Sequence, residues 1–143
     1  MKAVLMSLNP QWFNPIMLEE KTREVRKRAP LLKHPYKIYL YCTKGGGNIW
    51  RAGIKGEFSA YQMNGTVCGE VTCNSTIDML TSDQSLYGTC LTIDQLMKYA
   101  GNAKKLSYMA LNNPILYVHP KQLSDFGLKR APQSWQYVEV DDE

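Results

Sequence analysis

The sequence predicts a small α+β protein, in which about six short strands form a mixed sheet or barrel with two or three short helices. Its 143 residues are the size of one domain, and we expect that domain over residues 1–140, with a frayed acidic tail at 141–143. Hydrophobic residues make up 44% and charged residues 21%, which excludes disorder for most of the chain. The strand-like runs are too closely spaced, and the helices too few, for a doubly wound sheet.

The N-terminal part of the chain alternates between strand and helix signals. Ala3–Ser7 is an apolar run that predicts a buried strand. Asn9 and Pro10 predict a helix start, with Asn9 as N-cap and Pro10 at the first helical position. Thr22–Arg28 then alternates as a strand does, and Tyr36–Thr43 is rich in aromatic residues that favour strands. The inner face of the helix is predicted to carry Trp12, Phe13, Ile16 and Met17.

The rest of the chain begins with a polar excursion over residues 45–64, in which a glycine run lacks the Gly-Lys-Ser/Thr ending of a phosphate loop. A flexible hairpin or insertion is the favoured interpretation. Thr66–Asn74 predicts a strand, and Thr92 with Gln95 forms the capping box of a second helix. The remaining predicted elements are strands at Leu106–Leu111, Ile115–Val118 and Ser134–Val140, and a helical turn at Pro120–Phe126.

The cysteines and the hydropathy pattern indicate the compartment. No apolar run near the N-terminus reaches the length of a secretory signal, and none approaches a membrane span. The four cysteines form no Cys-x-x-Cys pair and the two histidines are isolated, so zinc-ligand spacing is absent. We therefore expect a reduced, cytoplasmic protein with no metal, no cofactor and no membrane association.

Basic residues are concentrated in one segment. The chain carries a formal net charge of +4, yet residues 21–37 hold seven basic side chains against the single acid Glu24. A basic segment on a near-neutral body is typical of an anion-binding surface, and a solvated basic strand is the alternative.

Strand alternation within this segment predicts one polar face. Thr22, Glu24, Arg26 and Arg28 fall on the same side of the predicted strand, and Lys21 lies at its start. Glu24 is expected to orient Arg26 and leave spare donors for a phosphate or a base edge. A ladder of exposed ion pairs is the alternative. Trp12, Trp50 and Trp135 are candidates to stack on a base, although core packing is favoured for Trp12 and is equally plausible for Trp135.

The same residues resemble a known family. Ser7–Phe13, followed by Glu20–Arg26, is similar to the signature of ASCH domains, small PUA-like β-barrels related to RNA-binding modules. Their hallmark reads Gly-x-Lys-x-x-Glu-x-Arg, which Lys21, Glu24 and Arg26 match, while Glu19 occupies the glycine position. The closing segment Pro132–Val138 also resembles ASCH proteins of bacteria and their phages.

This resemblance implies a cleft that binds RNA or a nucleotide-like ligand. Some members are amidohydrolases that act on acetylated cytidine with a lysine, a threonine and a glutamate, but here Glu24 stands at the threonine position. A hydrolase, of this type or a ribonuclease, with Lys21 and Glu24 as its catalytic pair is therefore one alternative. A protein-interaction module using the 45–64 excursion is another. The predicted ligand-binding residues are Lys21, Thr22, Glu24, Arg26, Arg28 and Trp135.

Overall fold

The computed structural model describes residues 1–44 and 64–141. The predicted excursion, with Trp50, therefore lies outside the described residues except for Asn64, and so do the last two residues of the predicted tail. The strands are β1 (Lys2–Leu8), β2 (Arg23–Arg26), β3 (Tyr36–Cys42), β4 (Val67–Leu80), β5 (Lys105–Lys121) and β6 (Trp135–Glu139). The helices are α1 (Pro10–Met17) and α2 (Ile93–Ala100), and short 3-10 turns span Thr81–Asp83 and Leu123–Phe126.

The six strands form one mixed sheet in the order β2-β5-β4-β3-β1-β6. β1 runs parallel to β3, and the other neighbouring strands are antiparallel. The two edge strands are joined by side chains: the indole N–H of Trp135 donates to the Arg28 carbonyl at 2.8 Å, and Arg26 donates to Ser134 Oγ at 3.0 Å. The sheet therefore curls into a barrel-like shape with a side-chain seam between β2 and β6, and the predicted α+β class is confirmed.

Apolar residues cover both faces of the sheet. In β1, Val4, Met6 and Leu8 pack into the main core beneath α1, whereas Ala3 and Leu5 pack on the other face beneath the turn Leu123–Phe126. A third cluster lies under α2, where Leu96 and Ala100 pack with Val25 of β2. Because of this last cluster, α2 is held next to β2, although about 70 residues separate them in the chain.

Local signals in the sequence determined where both helices begin. Asn9 is the N-cap of α1, and its side-chain oxygen accepts a hydrogen bond from the backbone N–H of Gln11 at 3.2 Å. Thr92 and Gln95 form the predicted capping box of α2, with both reciprocal bonds present. No helix in the described part of the chain is long and apolar enough to cross a membrane.

The largest differences between the observed and the predicted strands are three. β2 ends at Arg26 rather than Arg28, and β4 runs six residues beyond Asn74. The two strands predicted around Asn112–Pro114 are one strand, β5. Asn113 has a positive φ of 51°, and the pairing with β4 continues on both sides of it with a shifted register. A register shift also occurs at Gly69, where a Cβ would lie 2.5 Å from the Ile115 carbonyl oxygen.

Candidate functional site

A cavity of about 640 Å³ lies between the start of α1, strand β2 and helix α2. Lys21, Glu24 and Arg26, the three residues that match the Lys-x-x-Glu-x-Arg pattern, all line it. Their side chains are mostly buried, with exposed fractions of 1%, 8% and 12%. The structure thus brings the matched residues together in one concave site, of the size usual for small-molecule pockets.

Lys21 holds its ammonium group at the buried side of the cavity. Nζ donates to the backbone carbonyl of Thr89 at 2.5 Å and lies 3.3 Å from Glu24 Oε1. It also lies 5.3 Å from the centre of the Trp12 ring, a cation–π distance. Two of its three N–H groups therefore have oxygen acceptors in the described chain, and the third is available to a ligand in the cavity.

Glu24 is the anionic centre of the cluster. Its Oε1 faces Lys21, and its Oε2 accepts from Arg26 Nη2 at 2.7 Å and from Arg26 Nε at 3.0 Å. One buried carboxylate is thus shared by two cations, which leaves the cluster with a surplus of positive charge. Such a shared carboxylate fixes both cations in place, because removing it would leave two charges buried and unpaired.

Arg26 is fully engaged within the protein. Beyond Glu24, Nη2 donates to the Ser7 carbonyl at 3.0 Å, and Nη1 donates to Ser134 Oγ at 3.0 Å and to the Ser134 carbonyl at 3.4 Å. All five guanidinium N–H groups are directed to protein acceptors. The expectation that Arg26 keeps spare donors for a ligand is therefore wrong: its donors join β2 to β1 and β6 across the seam.

Helix α2 supplies a wall of the cavity that the sequence did not indicate. Gln95, Lys98 and Tyr99 of α2 line it, together with Leu91 just before the helix. The Tyr99 hydroxyl accepts a hydrogen bond from the backbone N–H of Lys27 at 3.1 Å, which ties α2 to the chain just after β2. The polar residues on one face of α2 were the only sequence signal for this wall of the cavity. A helix face exposed to solvent gives the same pattern, so the signal does not distinguish the two. The site also includes Trp12, which is half-buried and lines the cavity rather than only the core.

Three of the predicted ligand-binding residues lie outside this cavity. Thr22 packs against Gly88 and lines a separate cavity of about 220 Å³, to which Lys21 also contributes. Arg28 and Trp135 lie together beyond the end of β2, where the guanidinium carbon is 4.5 Å from the indole ring centre. Since β2 spans only Arg23–Arg26, Thr22 and Arg28 lie outside it, and the predicted alternation applies only to Glu24 and Arg26.

The residue at the hallmark glycine position has a backbone typical of glycine. Glu19 follows the last turn of α1 and has a φ of 60°, in the left-handed region. The backbone N–H groups of Glu20 and Lys21 both donate to the Pro15 carbonyl, at 2.9 and 3.0 Å, and this tight turn delivers Lys21 into the cavity. The fold therefore requires the conformation that a glycine adopts most easily, and this chain adopts it with a glutamate.

The resemblance to ASCH domains implies a PUA-like barrel with a cleft lined by the Lys-x-x-Glu-x-Arg strand, and that strand lines a cavity here. Comparison with solved structures supports the fold. The crystal structure of ASCH from Zymomonas mobilis matches with a TM-score of 0.71 at 21% identity, covering 96% of this chain and 87% of that one. A tyrosine-to-phenylalanine variant of the Zymomonas mobilis protein matches with a TM-score of 0.72 at 19% identity, covering 97% and 91%.

A scan of protein-family models and a search of curated protein sequences found no match. The structural likeness nevertheless spans nearly the whole length of both chains. The chain therefore has the fold of ASCH domain proteins, as the resemblance in sequence predicted.

Proposed function

We propose that this chain is an ASCH-type binding protein that holds a nucleotide unit, free or within single-stranded RNA, in the cavity between α1, β2 and α2. The observation that carries the proposal is the buried Lys21–Glu24–Arg26 cluster at one side of a cavity that also exposes aromatic and amide side chains. The cations suit the phosphate of a nucleotide, the aromatic rings suit the face of its base, and the amides suit the edge of its base.

The charge of the cavity favours an anionic ligand. Among the described residues, it is lined by Lys21, Arg26 and Lys98 and by one carboxylate, Glu24, which the two buried cations already share. Lys98 is exposed and forms no ion pair within residues 1–44 and 64–141, so it can contact a phosphate. The third N–H of Lys21 offers a donor deeper in the cavity.

The aromatic rings and amides suit the base of a nucleotide. Trp12 and Tyr99 border the cavity from opposite helices, and ring–base stacking stabilises a complex by about 1–3 kcal/mol per base. The amides of Gln11 and Gln95 carry both donors and acceptors, as recognition of a base edge requires. The proposal gives Arg26 a positioning role, because its donors are engaged within the protein.

The test is a calorimetric titration of the protein with cytidine 5′-monophosphate, adenosine 5′-monophosphate and a single-stranded oligocytidylate. We expect Tyr99→Leu to weaken binding about tenfold or more, which corresponds to a stacking loss of about 1.4 kcal/mol or more. Tyr87→Leu is the matched control, because Tyr87 is 81% exposed and does not line the cavity. A Tyr99→Leu variant that binds each probe as tightly as Tyr87→Leu would contradict the proposed site.

A hydrolase is the second candidate, favoured by the 3.3 Å separation of Lys21 Nζ and Glu24 Oε1 within the cavity. Its test is incubation with acetylated cytidine and with single-stranded RNA, followed by chromatography of the products. Release of acetate or of RNA fragments that Lys21→Ala abolishes would support catalysis. We expect no acetate release, because Glu24 stands at the family's threonine position and Thr22 lies outside the cavity.

A further inference from the structure

A second cavity, of about 590 Å³, lies beyond the end of β2, and cationic and hydroxyl side chains share its lining with the apolar segment 29–32. Basic side chains border it, namely Arg28, Lys33 and Lys105, together with the hydroxyls of Thr76 and Ser107. Asp78, the one carboxylate among the described residues that line it, accepts a hydrogen bond from Ser107 at 2.6 Å and lies 3.6 Å from Lys105 Nζ. The cationic side chains that line this cavity therefore outnumber its carboxylate.

Among the cations that line this second cavity, Arg28 is the one whose side chain is held in place by Trp135. Its guanidinium lies over the ring of the buried Trp135 at 4.5 Å, and the Trp135 N–H donates to the Arg28 carbonyl at 2.8 Å. Trp135 thus contacts both ends of the same residue and restricts its side chain. Among the described residues, no acceptor lies within hydrogen-bond distance of the Arg28 guanidinium, so its N–H groups remain available for a phosphate.

Each cavity has one lining arginine that contacts the chain at the seam of the barrel. Arg26 of the first cavity donates to Ser134, and Arg28 of the second stacks on the next residue, Trp135. Arg26 and Arg28 are two residues apart, which places their Cα atoms within about 7 Å of each other. A ligand that extends from the first cavity along the seam would therefore come close to Arg28.

We propose that the second cavity is a subsite for the backbone phosphate of a nucleotide next to the one bound in the first cavity. This inference rests on the proposed function, and it identifies the ligand class as single-stranded RNA rather than a free mononucleotide. Arg28 and Lys33 provide the phosphate contacts, and Trp135 positions Arg28 without contacting the ligand.

The experiment compares cytidine 5′-monophosphate with an oligocytidylate of about ten nucleotides, within the usual site sizes of single-strand binders. Both are titrated at several salt concentrations into the parent protein, Arg28→Gln, Arg28→Lys and the control Arg130→Gln, which changes an exposed arginine outside both cavities. Thermal melting first verifies that each variant is folded. We expect the oligomer to bind the parent at least tenfold more tightly than the monophosphate does.

In Arg28→Gln that advantage should be lost, and the log–log salt slope of oligomer binding should become shallower by about 0.7, the value for one phosphate contact on a single strand. Binding of the monophosphate should stay within about twofold of the parent. Arg28→Lys should recover the slope but only part of the affinity, because lysine keeps the charge and loses the planar stacking. Oligomer binding and salt slope that are the same in Arg28→Gln and Arg130→Gln would overturn the subsite while leaving the proposed function intact. If neither the monophosphate nor the oligocytidylate binds the parent protein, both the subsite and the proposed function are overturned.

Discussion

The buried carboxylate Glu24 offers the sharpest test of how the site is built. Replacing Glu24 with Gln keeps the size of the side chain and removes its charge. In the parent, Glu24 Oε1 lies 3.3 Å from Lys21 Nζ, and Oε2 accepts from Arg26 at 2.7 Å. The variant therefore leaves two largely buried cations side by side without an anion.

Removing one partner of a buried ion pair costs about 3–5 kcal/mol, because the other charge stays desolvated and unpaired. With side-chain exposures of 1% for Lys21 and 12% for Arg26, the lower part of this range, about 3 kcal/mol, applies to Glu24→Gln. Lys21→Met should cost less, about 1–3 kcal/mol, since Glu24 keeps Arg26 and the main loss is the hydrogen bond to the Thr89 carbonyl.

Urea denaturation at pH 7, followed by circular dichroism, measures these differences in the free energy of unfolding. Glu139→Gln is the matched control: its carboxylate is 77% exposed and lies 3.6 Å from the N-terminal amine, so we expect a change below about 1 kcal/mol. If Glu24→Gln unfolds within 1 kcal/mol of the Glu139→Gln control, Glu24 does not neutralise a buried cationic pair, and the electrostatic account of the cavity is refuted.

Three further predictions concern residues outside the cluster. Glu19→Gly should leave stability unchanged or raise it by up to about 1 kcal/mol in urea denaturation, because glycine relieves the left-handed backbone at φ 60°; marked destabilisation would contradict this. Burial and the hydrogen bond to Glu70 raise the pKa of Tyr117 above its ordinary value of 10.0, so the folded state keeps this proton longer than the unfolded chain does. The contribution of Tyr117 to stability should therefore be fully present below pH 10 and decrease as the pH rises further. When thermal melting is followed up to pH 11, the melting temperature of Tyr117→Phe should decrease less with pH than that of the parent. Gly69→Ala should destabilise the protein by about 1–3 kcal/mol, since a Cβ would lie 2.5 Å from the Ile115 carbonyl oxygen; a melting temperature equal to the parent's would show that the strand can yield there.

Local patterns in the sequence were sufficient wherever the determining contacts are local. The start of α1 at Asn9–Pro10 and the capping box Thr92–Gln95 depend on hydrogen bonds within one turn, and the structure has both. Alternation within β2 correctly predicted that Glu24 and Arg26 share a face, because two residues in one strand need no distant partner to point the same way.

The composition of the cavity depended on contacts between distant parts of the chain. Gln95, Lys98 and Tyr99 reach β2 only because Leu96 and Ala100 pack against Val25, and nothing in the sequence near α2 specifies that partner. Arg26 likewise donates hydrogen bonds to Ser7 and Ser134, which lie next to β2 only because the sheet curls into a barrel-like shape.

The sequence by itself thus determined where both helices begin and that Glu24 and Arg26 share a strand face, because both follow from spacing over a few residues. The tertiary structure alone decided which side chains share the cavity, assigned Arg26 to the seam, and separated Thr22 and Arg28 from Glu24. The physical reason is that strand order and helix docking bury the apolar surface of the whole chain. Because every segment contributes to that surface, a pattern within one segment cannot predict which segments pack together.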